Sequence, residues 1–152
     1  MTKTVMNDKA FIEKGYKITT DKRLIDFNRV YRYLEHESYW AKGVTAERLQ
    51  RAIKNSMCFV ILKQNELAGF ARVVTDKATF AYICDVFVLE KHRRQGLSKW
   101  LIQTIIQHPE LKGLRRWSLA TLDAHGLYQQ FGFVSLSKPE RWMEIYTPYK
   151  QY

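Results

Sequence analysis

The sequence predicts an α+β fold: a mixed, mostly antiparallel central sheet with helices on both faces, in the order βααβββαβαββ. Three observations carry this reading. Between residues 57 and 89, three apolar runs rich in β-branched and aromatic residues follow one another across short polar turns, as in an antiparallel meander. Two segments of helical periodicity precede that block. After it, one amphipathic segment separates the third run from another strand-like run, which is a strand–helix–strand crossover.

Taken in order, GYKITT at residues 15–20 is a short first strand. Leu24, Phe27, Tyr31 and Leu34 then recur at helical spacing behind Asp21, a capping residue type, so a first helix is expected to about Glu37. ESYWAKGV at 37–44 interrupts that period with aromatics and a glycine. TAERLQRAI restarts it with Thr45 as N-cap and Arg48 at the third helical position, giving a short second helix. MCFVILK, a turn at Gln64, Asn65 and Glu66, LAGFARVVT, a turn at Asp76 and Lys77, and TFAYICDVFVL make up the meander. Its third strand is almost continuously apolar from Phe80 to Leu89, which implies burial on both faces and a central place. Gly96 opens a helix to His108, with Leu97, Leu101, Thr104 and Ile105 on one side, and Pro109 closes it. LRRWSLAT is a strand, DAHGLYQQF a short helix, and FVSLS and WMEIY a final pair of strands.

A chain of 152 residues with 46% hydrophobic content fits one domain over residues 1–152. No apolar run approaches the roughly 20 residues of a membrane helix, and MTKTVMNDKA lacks the apolar stretch of a secretory signal. Cys58 and Cys84 are too far apart for a Cys-x-x-Cys redox or zinc pair, so reduced core thiols in a cytoplasmic protein are expected, and no metal site. The 25 Lys and Arg against 15 Asp and Glu give a formal charge of +10, which favours a polyanionic partner: nucleic acid, acidic lipid or a phosphorylated cofactor.

FVLEKHRRQGLSKWLI at 87–102 narrows that choice. It places a basic turn and a glycine between a central strand and a helix, where free N–H groups and the positive dipole end of the helix favour a phosphate. Gly96 permits close approach, Arg93 and Arg94 add charge, and Ser98 offers a hydroxyl. Arg93-Arg94-Gln95-Gly96-Leu97-Ser98 resembles the pyrophosphate loop of the GCN5-related N-acetyltransferases, Arg/Gln-x-x-Gly-x-Gly/Ala, with Ser98 departing from its last position. The resemblance extends through DVFVLEKHRRQGLSKWL and TLDAHGLYQQFGF, and the expected element order fits from about Tyr16 to Tyr146.

That resemblance implies a sheet splayed at the central strand and acetyl coenzyme A as cosubstrate. Its pantetheine arm would pair with the backbone near Val86, Phe87 and Val88, and its phosphates would meet Arg93, Arg94, Gln95, Gly96, Leu97 and Ser98. Tyr128, in Leu-Tyr-x-x-Phe-Gly-Phe, matches the tyrosine that hydrogen-bonds the cofactor sulfur and protonates the departing thiolate, with Phe131 and Asp123 nearby as cofactor contacts. Asp85 is a carboxylate inside an apolar strand, hence a base, a substrate anchor, or a group held at a bulge. His125 is a second candidate base, and Asp123 is alternatively the cap of its helix. Tyr39 and Trp40, with Glu35 and Glu37, are expected to meet the acceptor.

The implied reaction is direct attack of a primary amine, on a small molecule or a protein, through a tetrahedral intermediate. A basic nucleic-acid-binding module and a non-catalytic coenzyme A-binding regulator are the alternatives. The first lacks any nucleic-acid signature beyond charge and GLRRW. A final strand exposed at the sheet edge allows pairing into a homodimer.

Overall fold

The computed structural model describes residues 7–150, so the reading of residues 1–6 lies outside the described residues. Ten elements follow in order: α1 (Asp8–Glu13), β1 (Tyr16–Thr19), α2 (Phe27–Arg32), α3 (Ala46–Lys54), β2 (Met57–Lys63), β3 (Glu66–Thr75), β4 (Phe80–Val88), α4 (Leu97–Ile106), β5 (Arg116–Leu119) and α5 (His125–Gln129). One sheet carries the strands in the order β1-β2-β3-β4-β5. The first four pair antiparallel, and β5, arriving by way of α4, pairs parallel to β4.

Strand alternation sorts the core into two layers. On β2, Met57, Phe59 and Ile61 face α4, where Leu97, Trp100, Leu101, Ile102 and Ile105 cover them. Cys58, Val60 and Leu62 face the other way, under Val30, Tyr33 and Leu34 and under Leu49 and Ile53 of α3. Burial on both faces belongs to β2 and to residues 67–71 of β3, not to the whole of β4 as its apolar run implied. On β4, Ala81 and Ile83 are buried against α4, while Tyr82 and Cys84 on the opposite face stay half-buried.

Several local expectations need correction. Asp21 caps only a 3-10 turn, Lys22–Leu24, and the cap of α2 is Asp26, whose carboxylate accepts from the Arg29 N–H. Two aspartates five residues apart both suit a cap, and only their distance from the apolar stripe separates them. α2 continues through a π turn, Tyr33–Glu37, so the helical stretch does end where the sequence placed it. Thr45 caps α3 by accepting from Arg48 N–H. Helix α1 has no counterpart in the sequence reading. It is six residues long and is held by Trp100, whose ring stacks on Phe11 at 4.6 Å and whose Nε1 donates to Asp8 Oδ1. FVSLS and WMEIY form no ladder among the described residues, so the expected final strand pair is absent from the sheet.

Candidate active site

Pairing between β3 and β4 keeps one register from Arg72↔Cys84 to Thr75↔Ala81 and another at Phe70↔Phe87 and Gly69↔Val88. One extra residue on β4 absorbs the change, and it is Asp85, at φ +53°. An extra residue reverses strand parity, so Val88 reaches the α4 layer while Phe87 turns into the α2–α3 layer. Without the bulge Asp85 would point at the apolar α4 layer. With it, the carboxylate accepts from Arg72 Nε at 2.8 Å and from Trp40 Nε1 at 3.0 Å, and both charged side chains are largely buried. Arg72 reaches on to Ser56 Oγ at 3.0 Å.

The ladder from β4 to β5 runs from Phe80↔Arg116 to Ile83↔Leu119 and ends there. Beyond Ile83, β4 is bonded on its β3 side only, and the gap opens at Asp85. The loop between α2 and α3 bridges this gap. Trp40 bonds Asp85 on β4, while Tyr39 accepts from the Leu122 N–H just after β5 at 3.2 Å. The two rings pack edge to face at 5.0 Å and are about half exposed. Ser38 fixes the loop by donating to Leu34 O and accepting from Ala41 N–H, and Glu35 Oε2 accepts from Gly43 N–H at 2.7 Å. Glu35 thus holds the loop's shape. Glu37 pairs with Arg29 at 3.1 Å, and the structure does not bring it to Tyr39, Trp40 and Asp85.

At the far end of β4 the basic turn is braced from within. Arg93 donates through Nε to Val88 O at 2.9 Å and through Nη2 to Tyr33 Oη at 3.1 Å, while Tyr33 stacks on Phe87 at 3.9 Å. Gln95 donates to Tyr16 Oη and to His92 O. His92 bonds Tyr16 Oη through Nδ1 at 2.8 Å, and burial holds its imidazole below its ordinary pKa, hence neutral. Arg93 and Gln95 therefore position the loop. Arg94, exposed like Arg93 and Gln95, has no partner among the described residues. Gly96 sits at the N-cap of α4 with φ +88°, and no side chain caps the first-turn N–H groups. Leu97 is buried behind them and Ser98 is half-buried.

Across the gap, Tyr128 is buried on α5 and packs edge-on against Phe133 at 5.9 Å. Burial, with Tyr39 and Cys84 nearby, pushes its phenol up to about 12. Burial likewise pushes the Cys84 thiol up to about 12. His125 lies exposed on the first turn of α5. Asp123 is exposed and caps nothing: the cap position of α5 is Ala124, whose N–H is taken by Thr121 Oγ1 at 3.0 Å. Phe131 packs against the α4 layer and lines a cavity at the outer edge of β5. Arg72 escaped the sequence reading, although a signal was there: an arginine inside LAGFARVVT is as isolated as Asp85 inside YICDVFVL.

The sheet is thus mixed and opens between a bulged strand and its parallel neighbour, beside a glycine-led helix start. The model of the Acetyltransferase (GNAT) family matches residues 27–133, and the chain belongs to that family. A crystal structure of a Xanthomonas campestris pv. campestris protein, assigned to the GNAT family by inference, is 46% identical, with a TM-score of 0.86 over 88% of this chain and 94% of that one. A Gibberella zeae protein designated an acetyltransferase by inference is 28% identical over 135 residues, spanning 74% of this chain and 75% of its own. A Clostridium acetobutylicum protein solved with acetyl coenzyme A shares the fold at a TM-score of 0.64 and 14% identity, covering 86% and 94% of the two chains. Family membership carries the class of reaction, acyl transfer from acetyl coenzyme A.

Proposed function

We propose that this chain moves the acetyl group of acetyl coenzyme A to a primary amine by direct attack, the acceptor entering under Tyr39 and Trp40. The observation that carries this reading is the gap between β4 and β5, closed at one end by the start of α4 and roofed at the other by the Tyr39–Trp40 loop. An extended donor fits such a slot between strands, with its phosphates at the uncapped N–H groups after Gly96 and Arg94 beside them. The unpaired edge of β4 after Ile83 offers backbone groups to its amide-bearing arm. When bound, the thioester supplies an activated acyl carbon.

Cys84 is close enough to Tyr128 and Asp85 to be weighed as a covalent relay. A thiol pushed up to about 12 is only about 10⁻⁵ thiolate at neutral pH, which argues for direct transfer to the amine. Tyr128 stays a neutral phenol and so acts as a donor. Against a thiol of pKa about 8.5, full proton transfer from a phenol near 12 is uphill by about 5 kcal/mol. Tyr128 therefore serves by hydrogen-bonding the departing thiolate, and the proton released by the attacking amine neutralises it. Asp85, with both oxygens engaged, anchors Trp40 and the acceptor side of the gap. His125, exposed and reachable through solvent, is the base to test for the amine. A panel of primary amines with acetyl coenzyme A, read by free thiol release, tests the reading. Release with at least one amine supports it, and binding of acetyl coenzyme A without release to any amine contradicts it.

A further inference from the structure

The turn before α4 is strained and has to be held. Arg94, at φ +64°, and Gly96, at φ +88°, take left-handed backbone on either side of Gln95, and for an arginine that conformation is unfavourable. The Gln95 amide nitrogen donates to Tyr16 Oη and to His92 O, at 3.3 Å each. Those two bonds close the turn on itself and tie it to β1, the strand at the sheet edge farthest from the gap. Tyr16 is 2% exposed and His92 7%, and their rings meet edge to face at 5.6 Å.

The direction of each proton along this chain of bonds follows from its partners. His92 O can only accept, so the Gln95 atom that faces both it and Tyr16 is the amide nitrogen. Tyr16 Oη therefore accepts from Gln95 and gives its own hydrogen to His92 Nδ1, at 2.8 Å. The proton of the neutral imidazole is left on Nε2, which is buried and has no partner among the described residues. A buried histidine with one nitrogen unpaired is less favourable than an apolar residue of similar size, so the contact that accounts for it is the one from Nδ1 to Tyr16.

We propose that Tyr16 and His92 are positioning residues for acetyl coenzyme A: the chain from Gln95 through Tyr16 to His92 holds the turn in the shape that takes phosphate, and holds it only while His92 is neutral. This rests on the reading of that turn as the donor's phosphate site. Protonation puts a hydrogen on Nδ1, so Tyr16 Oη would face two donors while its own hydrogen lost its acceptor in a closed site. One link must then break. Burial is the largest influence keeping the imidazole neutral, and Lys91 on its own turn and Lys63 at the end of β2 oppose a positive charge there as well. Glu66 at the start of β3 favours one, and Tyr16 on β1 donates to the neutral ring. With the pKa lowered in this way, the turn is intact above the ordinary histidine value of about 6.5 and loosens as the pH falls below it.

Calorimetric titration with acetyl coenzyme A tests this at about pH 7.5 and at about pH 5, on either side of that value. Tyr16→Phe keeps the ring and removes the hydroxyl, and is expected to bind about tenfold more weakly than wild type at the higher pH, roughly the loss of one buried hydrogen bond. His92→Asn places an amide oxygen where Nδ1 accepts, and it cannot titrate. It is expected to match wild type at the higher pH, whereas at the lower pH wild type is expected to lose about threefold more affinity than the variant does. The donor's own phosphate monoester, with a pKa of about 6, titrates alike against both proteins and cancels in that comparison. Melting curves show whether each variant is folded, and should Tyr16→Phe not fold, the pH comparison decides alone. Equal affinity of Tyr16→Phe and wild type, or a pH dependence unchanged in His92→Asn, would overturn the proposal. No binding by wild type at either pH would overturn the reading of the turn as well.

Discussion

The two halves of β4 are built from equally apolar sequence and do different work. From Phe80 to Ile83 the strand is bonded on both edges, to β3 and to β5, and Ala81 and Ile83 sit fully packed against α4. From Asp85 to Val88 it is bonded to β3 alone, carries a left-handed residue and reverses its parity. The first half stabilises, and the second holds its backbone edge open. One inserted residue makes the difference. It ends the β5 ladder, turns a carboxylate out of the apolar layer and places it under Trp40. The lesson is that a site of this kind needs a rigid strand to open against, and Asp85 with Arg72 and Trp40 keeps the opening from collapsing.

The largest expected effect comes from breaking that bracing. Arg72→Leu leaves the Asp85 carboxylate buried without its charge partner, and stability is expected to fall by about 3 kcal/mol, the low end for a buried pair broken from one side. Adding Asp85→Asn should restore part of it, because no unpaired charge then remains. Chemical denaturation of the three proteins checks this. Equal stability of Arg72→Leu and wild type would make the pair incidental to the bulge.

Next in size is Tyr128→Phe, which keeps the ring against Phe133 and removes the hydroxyl. Turnover is expected to fall roughly 10²-fold with donor affinity retained. The pH profile should keep its shape, since a phenol pushed up to about 12 stays protonated across the neutral and mildly alkaline range. The same shift has a stability consequence. A folded-state pKa raised above the unfolded value of about 10 contributes stability that is complete below pH 10 and is lost as pH climbs towards 12. Tyr128→Phe should therefore flatten the alkaline end of the unfolding curve, measured as melting temperature against pH.

The smallest expected effect belongs to Cys84→Ser. With the thiol protonated there is no covalent relay to lose, and turnover should stay within about threefold of wild type. A loss comparable to that of Tyr128→Phe would revive an acetyl-cysteine route.

Much of this contrast was legible before the structure. The meander, the crossover and the helix starting after Gly96 follow from period and from turn residues, which act locally. Thr45 and Arg48 were readable as a cap because both partners lie within one turn. Asp85 stood out as a charge in an apolar strand, but its partner did not, because pairing Arg72 with Asp85 depends on the register of two strands and on a bulge that leaves no pattern in sequence. The bridge from Tyr39 to Leu122 spans 83 residues for the same reason. Arg93 was read as facing a phosphate because its charge is visible in sequence, whereas the Val88 carbonyl and the Tyr33 hydroxyl that its side chain bonds are not. FVSLS and WMEIY read as two strands because alternation predicts a strand without supplying the neighbour it must pair with.

The central claim is that the gap between β4 and β5, closed by the start of α4, is where acetyl coenzyme A binds, and melting temperature with and without it tests that most directly. A ligand at a hundredfold its dissociation constant stabilises by about 2.7 kcal/mol, a shift of roughly 5–10 °C for a domain of this size. Gly96→Ala introduces the strain of a side chain at φ +88° and should lower the starting temperature while keeping the shift. Gly96→Glu adds the same strain with bulk and negative charge at the phosphate position, and should abolish the shift. The account predicts a shift in wild type and in Gly96→Ala and none in Gly96→Glu; an equal shift in all three would place the cofactor elsewhere and contradict it.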